Sequence, residues 1–336
     1  MEVLSSLPSP FPFDFDEAGD RLSFIRLSEA EFRAASFLDE RLIAGSGTAT
    51  WIATVKAEGL AANLDVESDF IFHIGHVGST LVSRLLGASD RVFALREPAI
   101  LRTLAKREAS LAPRLEMTLK LLARVWRPTQ RSLVKATSFV SEIAPATLAT
   151  STTAKALMMF TSPQIHIATR LAGPATRAEL PSIARDWLER LHRRLGGVFW
   201  RLETFSEGEM AALGWVCEIC SLARAVQDFP FRTRWLDFDA FLSDPATGLR
   251  EALTFLRGPP LDGEIAAMLA GGDLGRYSKA PEFGYDAATR LETIYKGLRE
   301  HGSEIERGLE WINAAGNAQP IIAEATRSAA ASRRRG

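Results

Sequence analysis

Residues Asp69 to Arg84, DFIFHIGHVGSTLVSR, set the reading of the whole chain. Phe70, Ile71, Phe72, His73 and Ile74 make a short, mostly apolar run rich in aromatic and β-branched side chains, which suits a buried strand. Gly75-His76-Val77-Gly78 breaks that run. From Ser79 onward Leu81, Val82, Leu85 and Leu86 recur at helical spacing, so a helix packs one face while its first turn directs amides back at the loop. A strand, a glycine turn and a helix N-terminus bring free N–H groups and the positive end of the helix dipole to one point, a socket for an anion such as phosphate. Ser79 and Thr80 add hydroxyl donors. The loop lacks the G-x-x-x-x-G-K-[ST] spacing and its lysine, which disfavours an ordinary ATP or GTP site.

The longer segment FIFHIGHVGSTLVSRLLGASDRVFALREP, residues 70–98, resembles the opening of P-loop sulfotransferases, in particular a bacterial "sulfotransferase family" group. The resemblance extends over about residues 65 to 315 and is densest in the first third. Members of that family use 3′-phosphoadenosine-5′-phosphosulfate (PAPS) as donor and release adenosine 3′,5′-bisphosphate. A P-K-S-G-T-T-like loop cradles the phosphosulfate end. Here Gly75, His76, Val77, Gly78, Ser79 and Thr80 stand in its place, with His76 where the family carries a lysine.

The chain has 336 residues, 46% hydrophobic and 24% charged, enough for a sizeable core. Strand-like and helix-like runs alternate without a linker, which favours one α/β domain with extensions at both ends. The resemblance implies a P-loop-type parallel sheet flanked by helices on both faces, with extra helices in the C-terminal half. Residues 1–64 read as an arm and helix packed on that domain, 65–315 as the sulfotransferase-like domain, and 316–336, rich in Ala, Ser and Arg, as a flexible tail. Strands are expected at Arg91–Leu95, Arg131–Thr137, Ala154–Phe160 and Arg234–Phe238. Helices are expected at Glu29–Arg41, capped by Ser28 with Glu31 in the capping-box position, and at Ala99–Arg107, Leu111–Trp126, Pro163–Leu171, Pro181–Leu195 and Gly208–Val226.

Forty basic and 41 acidic residues give a net charge of −1, so nothing global draws the chain to nucleic acid or an anionic membrane. No apolar run approaches the roughly 18 residues of a membrane helix. Met1-Glu2-Val3, followed by apolar residues broken by Pro8, Pro10 and Pro12, does not read as a secretory signal. A cytoplasmic setting is the expectation. Cys217 and Cys220 make one C-x-x-C pair with no second pair to complete a zinc site, so they read as buried helix thiols and no metal is expected.

Sulfuryl transfer needs a held donor, charge neutralisation on the departing phosphate and a base for the acceptor proton. The resemblance assigns donor binding to Gly75, His76, Val77, Gly78, Ser79 and Thr80, and the 3′-phosphate grip to Thr161 and Thr169, with Thr161 in place of the family's arginine. It adds a late loop, Gly271 to Lys279, in which Arg276, Ser278 and Lys279 close over the nucleotide. Arg170 and Arg177 are near enough in sequence to compensate for the missing arginine, and a solvated helix face explains them equally well. Lys135 matches the family's K-T-H-L-P-like lysine, but Thr137 replaces its histidine, so the catalytic set is Glu97 as base with His76 and Lys135. The acceptor is expected to be a small molecule or glycan-like compound with a hydroxyl or amine. A non-catalytic nucleotide- or anion-binding protein that kept the scaffold is the alternative.

Overall fold

The computed structural model describes residues 7–42, 49–107, 111–271 and 287–333. In chain order the strands are β1 (Phe11–Phe15), β2 (Arg21–Ile25), β3 (Thr50–Ala53), β4 (Ser68–His73), β5 (Val92–Arg96), β6 (Arg131–Lys135), β7 (Ala156–Phe160) and β8 (Thr233–Asp237). The helices are α1 (Glu29–Ala34), α2 (Thr54–Ala61), α3 (Ser79–Gly87), α4 (Ala99–Lys106), α5 (Leu111–Leu122), α6 (Ala144–Ala149), α7 (Pro163–Ala172) and α8 (Pro174–Leu195). They continue with α9 (Glu207–Asp228), α10 (Phe238–Ser243), α11 (Pro245–Arg257), α12 (Glu264–Ala270), α13 (Ala287–Glu300), α14 (Gly302–Ala318) and α15 (Pro320–Arg333).

The main sheet has five parallel strands in the order β5-β6-β4-β7-β8. Every residue of β4 is buried, as its run of Phe and Ile requires at the centre of a sheet covered on both sides. From β4 the chain crosses to β5; the later crossovers run back the other way, to β7 and then β8. Right-handed crossovers in opposite directions put their helices on opposite faces. The connections leaving the neighbouring strands β4 and β6 therefore lie on opposite faces, which makes their carboxyl ends the sheet's reversal point, where open α/β sheets take ligands.

The chain before β4 is more than an arm. β1, β2 and β3 form an antiparallel sheet whose Phe11, Phe13, Phe15, Leu22 and Phe24 join the main core. Phe32 meets Phe11 and Phe93 edge to face, with ring centroids 5.4 and 5.2 Å apart. Proline is tolerated because β1 is an edge strand, so Pro12 breaks no interior ladder. The Ser28–Glu31 capping box opens α1 as its spacing predicts, but the helix ends at Ala34 rather than Arg41. Residues beyond it run beside β5: Leu38 N–H donates to Arg96 O (2.7 Å) and Ala99 N–H to Leu38 O (3.0 Å).

The expectation of a flexible tail is corrected over most of its length. Through Arg333 the chain is helical in α15, which buries Ile322, Ala325 and Ala329. Trp235 Nε1 donates to Ser328 Oγ (3.1 Å), and Arg333 pairs with Asp237 (2.5 Å). Small side chains that look like low complexity in sequence here allow a helix to lie close to the sheet. α8 starts seven residues earlier than expected, with Pro181 inside it. Cys217 and Cys220 are free and buried on α9, and burial pushes both thiols up to about 12, so neither is a reactive thiolate. No helix among the described residues is long and apolar enough to cross a membrane.

α9 and α14 cross at two glycines. A Cβ on Gly208 would stand 1.8 Å from Glu304 O, and one on Gly308 2.6 Å from Gly208 O. Helix propensity alone favours Ala over Gly by about 1 kcal/mol, so the contact opposes the local preference. Gly208→Ala is expected to lose about 2–3 kcal/mol in chemical denaturation through overpacking; a gain in stability would show that the helices do not meet there.

Candidate active site

The loop after β4 is built from left-handed turns. Gly75, His76 and Gly78 have φ of 80°, 53° and 63°. Glycine takes this conformation without cost, whereas His76 is held in it against its Cβ. Gly78 is required twice, since a Cβ there would also fall 1.9 Å from Cζ of Phe238. His73 ties the loop to the next strand: its Nδ1 accepts from Gly75 N–H (2.9 Å) and its Nε2 lies 2.8 Å from Ala136 O. A ring nitrogen that accepts carries no proton, so the imidazole is in the form that donates from Nε2.

Gly75 therefore spends its N–H inside the protein. The amides beyond it are different. α3 starts on Gly78 with no side-chain cap, and among the described residues nothing accepts from the N–H groups of Val77, Gly78, Ser79 or Thr80. A cluster of open amides at a helix N-terminus attracts an anion.

Beside this cup the ends of β5 and β6 bring Glu97 and Lys135 together. Arg96 and Lys135 are in register, Glu97 N–H donates to Lys135 O (2.7 Å), and Glu97 itself turns left-handed at φ 51°. Lys135 Nζ donates to Glu97 Oε1, and Thr137 Oγ1 donates to Oε2 at 3.3 Å. Lys135 is 1% exposed, so its charge needs this partner. Phe37 covers the pair, its ring centroid 5.7 Å from Lys135 Nζ and 3.6 Å from the Arg41 guanidinium. Arg41 is clamped by Asp39 and lies within the field of Glu97. Neither Phe37 nor Arg41 stands out in the sequence, because the helical spacing expected for Glu29–Arg41 runs through both.

The remaining candidates fall differently. Thr161 is buried and donates its hydroxyl to Asp239, which Arg290 holds from the other side (2.8 Å). Thr169 donates to Ile165 O one turn back (2.8 Å). Both hydroxyls are thus already engaged within the protein. Arg177 is exposed and paired with Glu207 (2.6 Å). Arg276, Ser278 and Lys279 lie outside the described residues. Arg170 is not on a solvated face: it is buried, and its Nη2 lies 3.6 Å from the position a Cβ on Gly75 would take.

No family model matches the chain, and no curated protein matches it. Solved structures similar to it include the sulfotransferase domain from the curacin biosynthetic pathway, at 14% identity over 74% of this chain and 97% of that one, with a TM-score of 0.41. A mouse sulfotransferase complexed with PAP is similar at 12% identity over 82% and 96%, TM-score 0.43. A sulfotransferase from Mycobacterium avium is similar at 14% identity over 74% and 80%, TM-score 0.42.

His166, on α7 one turn before Arg170, is buried, and among the described residues neither ring nitrogen is hydrogen-bonded. Burial first, and then the charge of Arg170, hold its pKa well below the usual histidine value. The folded protein keeps this ring neutral where the unfolded chain takes up a proton, so stability falls as pH drops below about 6.5. Ordinary carboxylates begin to matter about two units lower. His166→Leu is expected to flatten the stability profile between about pH 6.5 and 5 by up to one proton, or about 1.4 kcal/mol per pH unit. An unchanged slope in denaturation measured across that range would contradict it.

Proposed function

We propose that the protein is a PAPS-dependent sulfotransferase acting on a hydroxyl or amine of a small-molecule or glycan-like acceptor in the cytoplasm. The observation that carries the reading is the cup of unbonded amides from Val77 to Thr80 next to a lysine-paired carboxylate, at the sheet's reversal point. The open amides suit the phosphosulfate end of the donor, which would supply an activated sulfuryl group. Thr161 does not offer the charge that an arginine would bring to the 3′-phosphate, so that grip falls to Arg276, Ser278 and Lys279 in this reading.

Each residue then has a definite task. The amides and the hydroxyls of Ser79 and Thr80 orient the anionic end and meet the negative charge that grows on the phosphate as its bond to sulfur breaks. A set of preorganised donors of this kind is worth about 10²–10³ in rate per donor removed. His76 adds a ring nitrogen where the resembled family has lysine. Lys135 and Thr137 hold the Glu97 carboxylate oriented, and Glu97 takes the acceptor proton as the new oxygen–sulfur or nitrogen–sulfur bond forms.

The replacements at His76, Thr137 and Thr161 favour a second reading, a nucleotide-binding protein without turnover. Titration with adenosine 3′,5′-bisphosphate separates the possibilities. Binding to the native state is expected to raise the thermal midpoint, by an amount equivalent to about 2.7 kcal/mol at a hundred times Kd. Labelled sulfate should pass from PAPS to members of a hydroxylated and glycan acceptor panel. Glu97→Gln keeps an acceptor oxygen for Lys135, so it should bind the nucleotide within about threefold of the parent while losing roughly 10²-fold or more in transfer. Binding without any transfer would support the second reading; no binding at millimolar nucleotide would overturn both.

A further inference from the structure

Arg170 is a buried cation that forms no ion pair among the described residues. It is 4% exposed, and among the described residues its guanidinium donates no hydrogen bond; Nε is enclosed and unbonded. The ring of Trp187 lies 5.0 Å from it, and a Cβ on Gly214 would come within 2.7 Å of that ring, so α9 fixes the indole in place. The ring orients the guanidinium without neutralising it.

The carboxylates nearby are committed elsewhere. Glu218, whose field reaches Arg170, receives Arg190 at 2.8 and 3.3 Å. Glu142 receives Arg190 at 2.8 Å and Arg194 at 2.6 Å. Glu179 also acts on Arg170, but from the exposed surface. Burial lowers the arginine to about 10, which still leaves it charged at neutral pH.

What the guanidinium faces is the head of the loop. Nη2 of Arg170 and Oγ of Ser138 lie 3.6 and 3.4 Å from the position a Cβ on Gly75 would take, and the Ser138 hydroxyl makes no hydrogen bond among the described residues. His166 adds two further unbonded ring nitrogens on the same helix face. The other end of the loop has a different wall, since Phe238 from α10 closes over Gly78. Ser138 follows β6, the strand that carries Lys135 and pairs with the strand leading to Glu97.

We propose that Arg170 and Ser138 form a second oxyanion subsite at the head of the loop, separate from the amide cup at its tail and suited to a carboxylate, phosphate or sulfate group. Resting on the transferase reading, the donor occupies the amide cup and Ser138 follows the strand that carries Lys135, the partner of Glu97, so the subsite selects an acceptor that itself carries a negative charge. A guanidinium fork matches two oxygens of such a group, and the serine hydroxyl takes a third contact.

The test titrates inorganic sulfate into the parent protein, Arg170→Gln and Arg170→Lys, each saturated with adenosine 3′,5′-bisphosphate, and follows the thermal midpoint. General exclusion of sulfate from protein surfaces acts on all three alike, so the difference between them is the signal. The parent is expected to show a saturable further rise. Arg170→Gln should weaken that response roughly ten- to a hundredfold and leave the nucleotide's own effect within twofold. Arg170→Lys, which keeps the charge and loses the fork, should fall between the two and supplies the comparison if the glutamine variant does not fold. In anion-free buffer Arg170→Gln should be at least as stable as the parent, the opposite of what an arginine with a purely structural role would give. Equal sulfate responses in all three proteins would overturn the proposal. So would competition between sulfate and nucleotide with Arg170→Gln weakening the nucleotide, since Arg170 would then belong to the donor. An Arg170-dependent sulfate response in a protein that binds no nucleotide would leave the subsite standing and remove the sulfotransferase reading.

Discussion

The first turn of α3 begins on a left-handed glycine that cannot cap it, and the surrounding structure keeps it uncapped. His73 takes the Gly75 amide and fixes where the strand stops; the ring of Phe238 leaves room for nothing larger than hydrogen at Gly78. Between them the chain turns so that four successive amides are left unbonded among the described residues. Buried or half-buried amides without an acceptor are costly in a folded protein. Keeping them open is the constraint from which the other features of this region follow.

Charge around the loop is divided between two walls. On the β5–β6 side, a buried lysine and a carboxylate in a strained turn satisfy each other, with Thr137 on the second carboxylate oxygen and Phe37 over the top. On the α7 side the arginine is left over: the α8–α9 network of Arg190, Arg194, Glu142 and Glu218 is internally matched, and Arg170 stands outside it. A matched pair holds both of its members in position, whereas the desolvation of an unmatched buried cation goes uncompensated within the protein. The two walls meet through β6, where Lys135 and Ser138 are three residues apart.

Local patterns made much of this legible. The five strands of the parallel sheet, the glycine loop and the Ser28 capping box each depend on residues close in sequence, and each is found near its expected place. The sequence hid what depends on distant packing. Prolines obscured the alternation of Phe11, Phe13 and Phe15, which becomes a strand because it pairs with β2 and lies at an edge. The small residues of α15 form a helix because β8 and Arg333's partner Asp237 await them. Thr161 reads as a phosphate contact until Asp239, far along the chain, takes its hydroxyl. Arg170 reads equally as a surface residue, since only Trp187 and the committed state of Glu218 show that it is enclosed and unpaired.

Amide hydrogen exchange over residues 74–84, with and without adenosine 3′,5′-bisphosphate, addresses the open cup most directly. Amides that bond only to water exchange quickly, and those that hold an anion do not. Strong slowing at Val77, Gly78, Ser79 and Thr80, with Gly75 already slow before addition, is the result the structure predicts. Exchange at those four positions that is slow without nucleotide, or unchanged by saturating nucleotide, would contradict it.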